Sequence, residues 1–225
     1  MRRMPIARSL GTLVALNLSA AALSACGGGG SSSTSSALPS GCQRVPAPKP
    51  KQVQLRPPSA RIPSNARLTA RVETSCGTFS IALDPAVSPR TVSSFVHLAR
   101  KGVYDDTSVQ RIVPAFVIQA GDPTETGRGG PGYSVTEPPP PSTQYRKGAV
   151  AMSKTSVEPP GRSGSQFFVV TATDAGLPPH YAVLGKVVSG WDTIRRISSL
   201  GDPASGQVGT PRATVIIRRV TVKAA

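Results

Sequence analysis

Two short apolar segments carry the side chains of this chain that are best suited to chemistry. The first, residues 108–121, reads SVQRIVPAFVIQAG and holds Arg111 and Gln119 within a run rich in apolar and β-branched residues. The second, residues 164–170, reads GSQFFVV and places Gln166 directly before two phenylalanines. Polar groups are costly in apolar surroundings unless they are paired or functional. The two segments therefore predict an apolar pocket with a few fixed hydrogen-bonding groups at its edge, which is a site for non-covalent binding.

Strands are expected to position most of these side chains. β-branched residues and alternation favour one strand over residues 108–121. Further strands are predicted at residues 67–73, 78–83, 148–152, 166–171, 182–187 and 212–222. One helix is predicted to begin at Ser88-Pro89 and to end at Gly102, and a second to cover residues 191–199. The Pro- and Gly-rich residues 122–147 are predicted to be loops, and the whole suits a closed β-barrel capped by helices.

Five motifs follow one another in a fixed order along the chain. They read YDDTSVQRIVPAFVIQAGDP from Tyr104, then GRGGPGY, GAVAMSK, GSQFF and LPPHYAVLGKV. In this order they resemble the cyclophilin-type peptidyl-prolyl isomerases, over residues 67–222. The resemblance implies a mainly β fold, a closed eight-stranded antiparallel β-barrel capped by two α-helices. It also implies an enzyme that accelerates rotation about X–Pro bonds and needs no cofactor or metal.

The resemblance assigns a role to each candidate site residue. Arg111 is implied to be the catalytic arginine, with Gln119 and Gln166 holding substrate carbonyls or orienting Arg111. The implied walls of the proline pocket are Phe116, Val117, Met152, Phe168 and Leu177. Tyr181 stands where many family members have a histidine, and its ring is expected to close the pocket while its hydroxyl bonds at the rim.

The chemistry implied here needs no covalent step and no proton transfer. An X–Pro bond rotates slowly because its nitrogen shares its lone pair with the carbonyl, which creates a barrier of roughly 18–20 kcal/mol. A pocket that grips the proline ring and a donor aimed at the freed lone pair would stabilise mainly the transition state. Arginine suits the second task because it stays a charged multiple donor at any working pH.

Three further residues depart from the family's usual sequence. Ser153-Lys154 replaces an Ala-Asn pair after Met152, and both residues are expected at the substrate groove, where Lys154 adds a charge. Gly176 occupies the place of a tryptophan found in some members. These changes keep an alternative open, in which the domain is a catalytically weak module that binds proline-containing peptides.

The N-terminus indicates export. Basic residues precede a short apolar stretch, and Leu23-Ser24-Ala25-Cys26 resembles a bacterial lipobox. Residues 1–25 are therefore predicted to be a lipoprotein signal peptide, with Cys26 acylated and the protein tethered to the extracytoplasmic face of the cell membrane. The alternative is an ordinary secretory signal with an incidental cysteine.

Between the signal and the domain lies a segment of low complexity. Residues 26–66 are first Gly/Ser-rich and then Pro-rich, and they are predicted to be a flexible, solvated tether before a domain at residues 67–225. Cys42 and Cys76 form an even pair, which an exported protein favours as a disulfide over two free thiols.

Composition excludes several partners. The formal net charge is +15, but residues 67–225 hold 18 basic and 11 acidic residues, a net +7 that is scattered without interleaved aromatics. This argues against nucleic-acid binding. GRGGPG at residues 127–132 satisfies G-x-G-x-x-G, yet Pro131 forbids the helix that a dinucleotide site requires. His97 and His180 are isolated, so no metal site is predicted. The expected partners are proline-containing polypeptides and the membrane, and the protein is expected to be a monomer.

Overall fold

Strands supply most of the regular secondary structure of the domain, and several of them alternate between buried and exposed residues. The computed structural model describes residues 37–224. Within them the strands are β1 (Leu68–Thr74), β2 (Gly77–Leu83), β3 (Thr107–Ser108), β4 (Arg111–Val113), β5 (Val117–Ala120), β6 (Val135–Thr136), β7 (Ala149–Met152), β8 (Arg162–Ser163), β9 (Phe167–Val170), β10 (Val183–Ser189) and β11 (Ile216–Ala224). In β1, for example, Ala70 and Val72 are fully buried while Arg71 between them is exposed. This period of two places one face of the sheet on the core.

Nine of the strands form one curled antiparallel sheet. Their order is β3-β11-β1-β2-β10-β7-β9-β5-β4, and β6 pairs separately with β8. The prediction of a mainly β, antiparallel domain is thus confirmed. The closed eight-stranded barrel is not confirmed, because β3 and β4 end the order without pairing to each other in the described part of the chain. A loop covers the edge of β4 instead, where Ile112 N donates to Gly209 O at 2.7 Å.

Within the described part of the chain, two α-helices accompany the sheet, close to where the sequence places them. They are α1 (Pro89–Arg100) and α2 (Trp191–Ser198). The apolar stripe of α1 is buried as its spacing predicts, at Val92, Phe95, Val96 and Ala99. Ser88 makes no side-chain cap; instead the Glu137 carboxylate accepts the N–H groups of Arg90 and Thr91 at 3.1 and 2.8 Å. A carboxylate at this end also complements the helix dipole.

The predicted single strand over residues 108–121 is wrong, and the correction matters for the site. The chain turns at Pro114 and Ala115, where Ala115 has a φ of +54°, and returns as a hairpin of β4 and β5. Arg111 consequently lies directly opposite Gln119 in the register. On one continuous strand the same two residues would be about 26 Å apart, at roughly 3.3 Å per residue.

Residues 37–66 do not behave as the flexible, solvated tether that the sequence analysis expects. They belong to the same compact unit as the domain. Leu38, Val53, Leu55 and Ile62 are partly buried and pack against the main core. The segment is extended, as its proline content predicts, but its apolar side chains recur often enough to bind it along the domain surface.

The predicted disulfide between Cys42 and Cys76 is confirmed. It joins the packed N-terminal segment to the turn between β1 and β2, and beside it Gln43 N donates to Ser75 O at 2.8 Å. The signal peptide, the lipidation site Cys26 and the Gly/Ser stretch lie outside the described residues. None of the helices in the described range has the length and apolar character that a membrane crossing requires.

Candidate active site

An open groove of about 950 Å³ lies over β4, β5 and the segment before β9. It gathers ten of the eleven predicted site residues, which come from four separate stretches of the chain. They are Arg111, Phe116, Val117, Gln119, Ser153, Lys154, Gln166, Phe168, Leu177 and Tyr181. The β4–β5 hairpin, the residues after β7, β9 with the residue before it, and the loop after β9 therefore bring the predicted residues to one surface.

Met152 is the exception, and the prediction that it lines the pocket is wrong. Its side chain is 1% exposed and packs in the main core together with Val150. Successive residues of a strand point to opposite faces. In β7 the intervening residue, Ala151, therefore packs on the pocket side with Phe168. A shift of one residue along a strand reverses which side chain meets the pocket.

The pocket floor is a second apolar cluster, separate from the main core. Its buried members include Val117 and Phe168, and Phe116, Leu177 and Tyr181 are partly buried against them. The rings of Phe168 and Tyr181 meet edge to face, with centroids 5.3 Å apart and an interplanar angle of 89°. This is a favourable aromatic arrangement, and it leaves apolar surface exposed at the groove.

Tyr145 fixes Tyr181 in place, and sequence reasoning missed it. Its hydroxyl donates to Tyr181 O at 2.6 Å and accepts from Tyr181 N at 2.9 Å. The residue is 1% exposed, although it lies in the Pro-rich stretch that was predicted to be loop. An aromatic residue isolated in such a stretch was the one available signal, since loops rarely bury large side chains without reason.

Tyr145→Phe should destabilise the protein and change its response to alkali. Losing the hydroxyl leaves two backbone groups of Tyr181 without a partner, which costs about 1–3 kcal/mol for a buried group. Burial raises the pKa of Tyr145 to about 12, with Tyr181 contributing smaller effects of both signs. Because the folded pKa is raised, the stabilisation is complete below the ordinary pKa of about 10 and is lost as pH rises through about 12.

Urea unfolding of wild type and Tyr145→Phe, at neutral pH and at several values between pH 10 and 12, measures this effect. The stability advantage of wild type should shrink as pH rises through that window. If the difference in stability between wild type and Tyr145→Phe stays constant with pH, the hydroxyl of Tyr145 is not held protonated by burial.

Arg111 lies half-buried at the edge of the aromatic pocket. Its Nη1 donates to Gln119 Oε1 at 3.4 Å, and its Nε donates to Gln207 O at 3.0 Å. Its Cζ lies 5.9 Å from the centre of the Phe116 ring. Burial lowers the pKa of Arg111, an effect that Tyr181 opposes. Arginine nevertheless remains a cation at working pH, so the groove contains a fixed charged donor.

A chain of amides continues from Arg111 along the groove. Gln119 Nε2 donates to Gln166 Oε1 at 3.0 Å, and Gln166 Nε2 donates to Gly129 O at 3.0 Å. Gln119 therefore accepts from Arg111 and donates to Gln166 at the same time. Of the two roles that the resemblance implies for these glutamines, this geometry favours orienting Arg111.

Comparison with known proteins agrees with the groove's geometry. The family model "Cyclophilin type peptidyl-prolyl cis-trans isomerase/CLD" matches residues 69–222. The chain belongs to the cyclophilin family of peptidyl-prolyl cis-trans isomerases. It is 33% identical over 201 residues to "Probable peptidyl-prolyl cis-trans isomerase B" of Mycobacterium leprae, covering 81% of this chain and 67% of that protein. The M. tuberculosis protein of the same name is 32% identical, and 65% of its length is covered.

Solved structures show the same fold. A cyclophilin type peptidyl-prolyl cis-trans isomerase of Cryptosporidium parvum superposes with a TM-score of 0.64 at 26% identity, over 71% of this chain and 99% of that one. A second structure of the same protein, determined in the presence of the dipeptide Ala-Pro, gives a TM-score of 0.63. This chain spans about two thirds of the length of its mycobacterial relatives.

One wall of the cyclophilin groove is the loop of residues 122–132. The buried Asp122 carboxylate holds this loop by accepting the backbone N–H groups of Thr124, Thr126 and Gly129 at 2.7–3.1 Å. Burial alone would raise the pKa of Asp122, but hydrogen bonds from Thr124 and the glycines outweigh it and lower the pKa. Asp122 thus remains ionised and fixes the carbonyl of Gly129 that Gln166 uses.

Lys154, one of the departures from the family, braces its own loop. Its Nζ donates to the carbonyls of Thr155 and Glu158, both at 2.9 Å, and lies 5.7 Å from the centre of the Tyr181 ring. Glu158 in turn accepts from Thr155 N at 2.7 Å and from Arg162 Nε at 3.1 Å. The lysine therefore adds charge at the groove rim, as expected, while its ammonium is bonded within the loop.

Gln207 is the second residue that sequence reasoning missed. It lies in a short 3₁₀ segment, Pro203–Val208, that is 96 positions from Arg111 in sequence. Besides its backbone carbonyl, its side-chain Oε1 accepts from Arg111 Nη2 at 3.4 Å. No motif or periodicity marks Gln207, because its contact with Arg111 exists only in the folded chain.

Gln207→Ala should lower kcat about fivefold and leave KM nearly unchanged. The substitution removes the side-chain hydrogen bond to Arg111, worth roughly 1 kcal/mol for so exposed a contact, and keeps the backbone one, so the guanidinium is held less tightly. Steady-state kinetics on a proline peptide measures both constants, with Val208→Ala, an exposed neighbour at 74%, as the control. A rise in KM with kcat intact would mean that Gln207 contacts substrate and does not position Arg111.

Proposed function

We propose that this cyclophilin accelerates X–Pro rotation in exported polypeptides by non-covalent stabilisation of the transition state. The observation that carries the proposal is the position of Arg111. Its guanidinium is held by Gln119 and Gln207 at the edge of an aromatic pocket that retains exposed apolar surface. That combination pairs a grip for a proline ring with a fixed cationic donor.

The mechanism has two parts. The proline ring packs on Phe116, Phe168 and Leu177, which anchors one end of the peptide bond. As the bond twists, its nitrogen regains its lone pair and becomes a hydrogen-bond acceptor, and Arg111 donates to it. The planar ground state offers no such acceptor, so the interaction strengthens in the transition state and lowers the barrier.

Refolding of a proline-limited protein tests this function in a polypeptide. The slow phase of refolding should be accelerated by catalytic amounts of the domain, because X–Pro isomerisation otherwise takes tens to hundreds of seconds. A slow phase that keeps its uncatalysed rate, or is arrested by stoichiometric binding, would overturn the proposal. The second outcome favours the alternative of a weakly catalytic binding module, for which the unusual Lys154 at the groove rim is the specific support.

We further propose that the protein is a monomer and works at the extracytoplasmic face of the membrane, anchored through lipid on Cys26. The lipobox-like residues 23–26 and the Cys42–Cys76 disulfide support this, since disulfides persist in oxidising compartments. Ten residues, 27–36, lie between Cys26 and the first residue that the structure describes. They reach at most about 35 Å, so clients would be met close to the membrane surface.

Cell fractionation of the wild type and Cys26→Ser tests the anchor. The wild-type protein should sediment with membranes and carry the added mass of acyl chains, whereas Cys26→Ser should lose both properties. Equal distribution of the two proteins would contradict anchoring through this cysteine. Such a result would leave the isomerase function unaffected.

A further inference from the structure

We propose that residues 51–55, here called the strap, form an additional substrate subsite that selects polypeptides by residues distant from the proline. The occupant is the extended continuation of the same chain whose proline fills the pocket, so the proposal rests on the proposed function. Residues 52–54 of the strap line the groove that also contains Arg111 and Phe168. One continuous groove therefore joins the strap to the proline pocket.

The strap has the alternation of a strand. Lys51, Val53 and Leu55 are partly buried against the domain, while Gln52 and Gln54 are exposed. Since successive side chains of an extended chain point in opposite directions, the two glutamines form one outward row. The packed face holds the strap and the other face is presented to solvent and to the groove.

Backbone contacts at both ends make the strap a fixed wall. Lys51 N donates to Pro123 O at 2.7 Å, and Leu55 N donates to Pro131 O at 2.8 Å. Lys51 Nζ additionally donates to the carbonyls of Val103 and Asp105. A subsite on so well-bonded a segment binds without the entropic cost of ordering it.

Gln54 packs against Gly132 of the loop that forms one wall of the groove, at a place where that loop can carry only glycine. Gly132 has a φ of +86°, and a Cβ there would come within 2.5 Å of Gln54 Oε1. Among residues 37–224, the side-chain amides of Gln52 and Gln54 have no hydrogen bond to another protein group. Each amide offers both a donor and an acceptor, which is the chemistry that the backbone of an extended peptide satisfies.

The strap lies outside the region that the family model matches, since that model begins at residue 69. The proline pocket comes from the matched region, whereas the strap reaches the groove from the N-terminal segment. The inferred consequence is a division of tasks. The matched domain supplies catalysis, and the strap supplies preference for longer substrates.

The test compares peptides of two lengths. In the full chain, Gln52→Ala/Gln54→Ala is assayed with a four-residue Ala-Pro peptide and with ten-residue peptides extended before or after the same core. The double substitution should lower kcat/KM at least about fivefold for one of the longer peptides, the size of one net hydrogen bond. It should change kcat/KM for the four-residue peptide by less than about twofold. Gln144→Ala, an exposed glutamine outside the groove, is the matched control and should affect neither.

The outcomes separate the strap from the proposed function. Equal effects on short and long peptides, or no effect on any, would overturn the subsite. If the wild type accelerates no peptide, the proposed function fails. Calorimetric titration of the wild type and of the double variant with the ten-residue peptides then tests the subsite by itself. Binding weakened at least about fivefold by the double substitution supports the subsite, and unchanged binding overturns it.

Discussion

Arg111→Ala is expected to lower kcat/KM for a short Ala-Pro peptide by about two to three orders of magnitude, the usual cost of losing a donor that acts in the transition state. The fold should persist, because Arg111 is only half-buried and lies on the short outer strand β4. In the variant, water at the open groove can replace the guanidinium as the partner of Gln119 and Gln207. Peptide isomerisation kinetics and circular dichroism measure the two effects separately.

Two further variants identify the cause of that loss. Arg111→Lys should retain only part of the activity, because an ammonium cannot hold Gln119 and Gln207 with the planar fork of a guanidinium. Arg100→Ala removes an equal charge from an exposed position on α1 and should leave kcat/KM within about twofold of wild type. Retention of wild-type activity by Arg111→Ala would show that another group stabilises the twisted peptide.

Removal of the Cys42–Cys76 disulfide is expected to lower the free energy of unfolding by about 3–4 kcal/mol, the loop-closure value for 34 residues. The disulfide restrains the unfolded chain and also holds the start of the N-terminal segment to the turn after β1. Urea unfolding with and without reductant measures the loss. A fragment beginning at residue 27 keeps only these two of the three cysteines.

Cys42→Ser provides the control for reduction. Its unfolding midpoint should match that of the reduced wild type and should not respond to reductant. Wild-type midpoints that coincide in both conditions would mean that the disulfide contributes nothing to stability. A small loss would instead indicate that packing of Leu38, Val53 and Leu55 alone retains the segment.

The sequence was sufficient to predict ten of the residues that meet at the groove, but not how they are arranged there. Arg111 and Gln119 stand out as polar residues in an apolar run, so their importance was visible without a structure. The turn at Pro114-Ala115 was not, because a positive φ at alanine follows from the whole fold and is rare for that residue. Met152 was placed on the wrong face of β7, because the face that each side chain of a strand occupies depends on how the strand pairs with its neighbours.

The N-terminal segment shows where composition misleads. Its prolines indicate an extended chain, and the structure agrees. An extended segment can still be packed against the domain surface, as this one is. The alternation of Val53 and Leu55 with exposed glutamines was present in the sequence and was outweighed by the proline content. Gln207 and Tyr145 were beyond sequence reasoning for a different reason, since each acts through a partner 96 or 36 positions away.

Exchange between the cis and trans forms of a short Ala-Pro peptide, measured by NMR with the wild-type fragment from residue 27, tests the central claim most directly. The account predicts exchange much faster than the uncatalysed tens to hundreds of seconds, at an enzyme concentration far below that of the peptide. Exchange at the uncatalysed rate, with the peptide still bound in the groove, would contradict catalysis and leave a proline-peptide binding module.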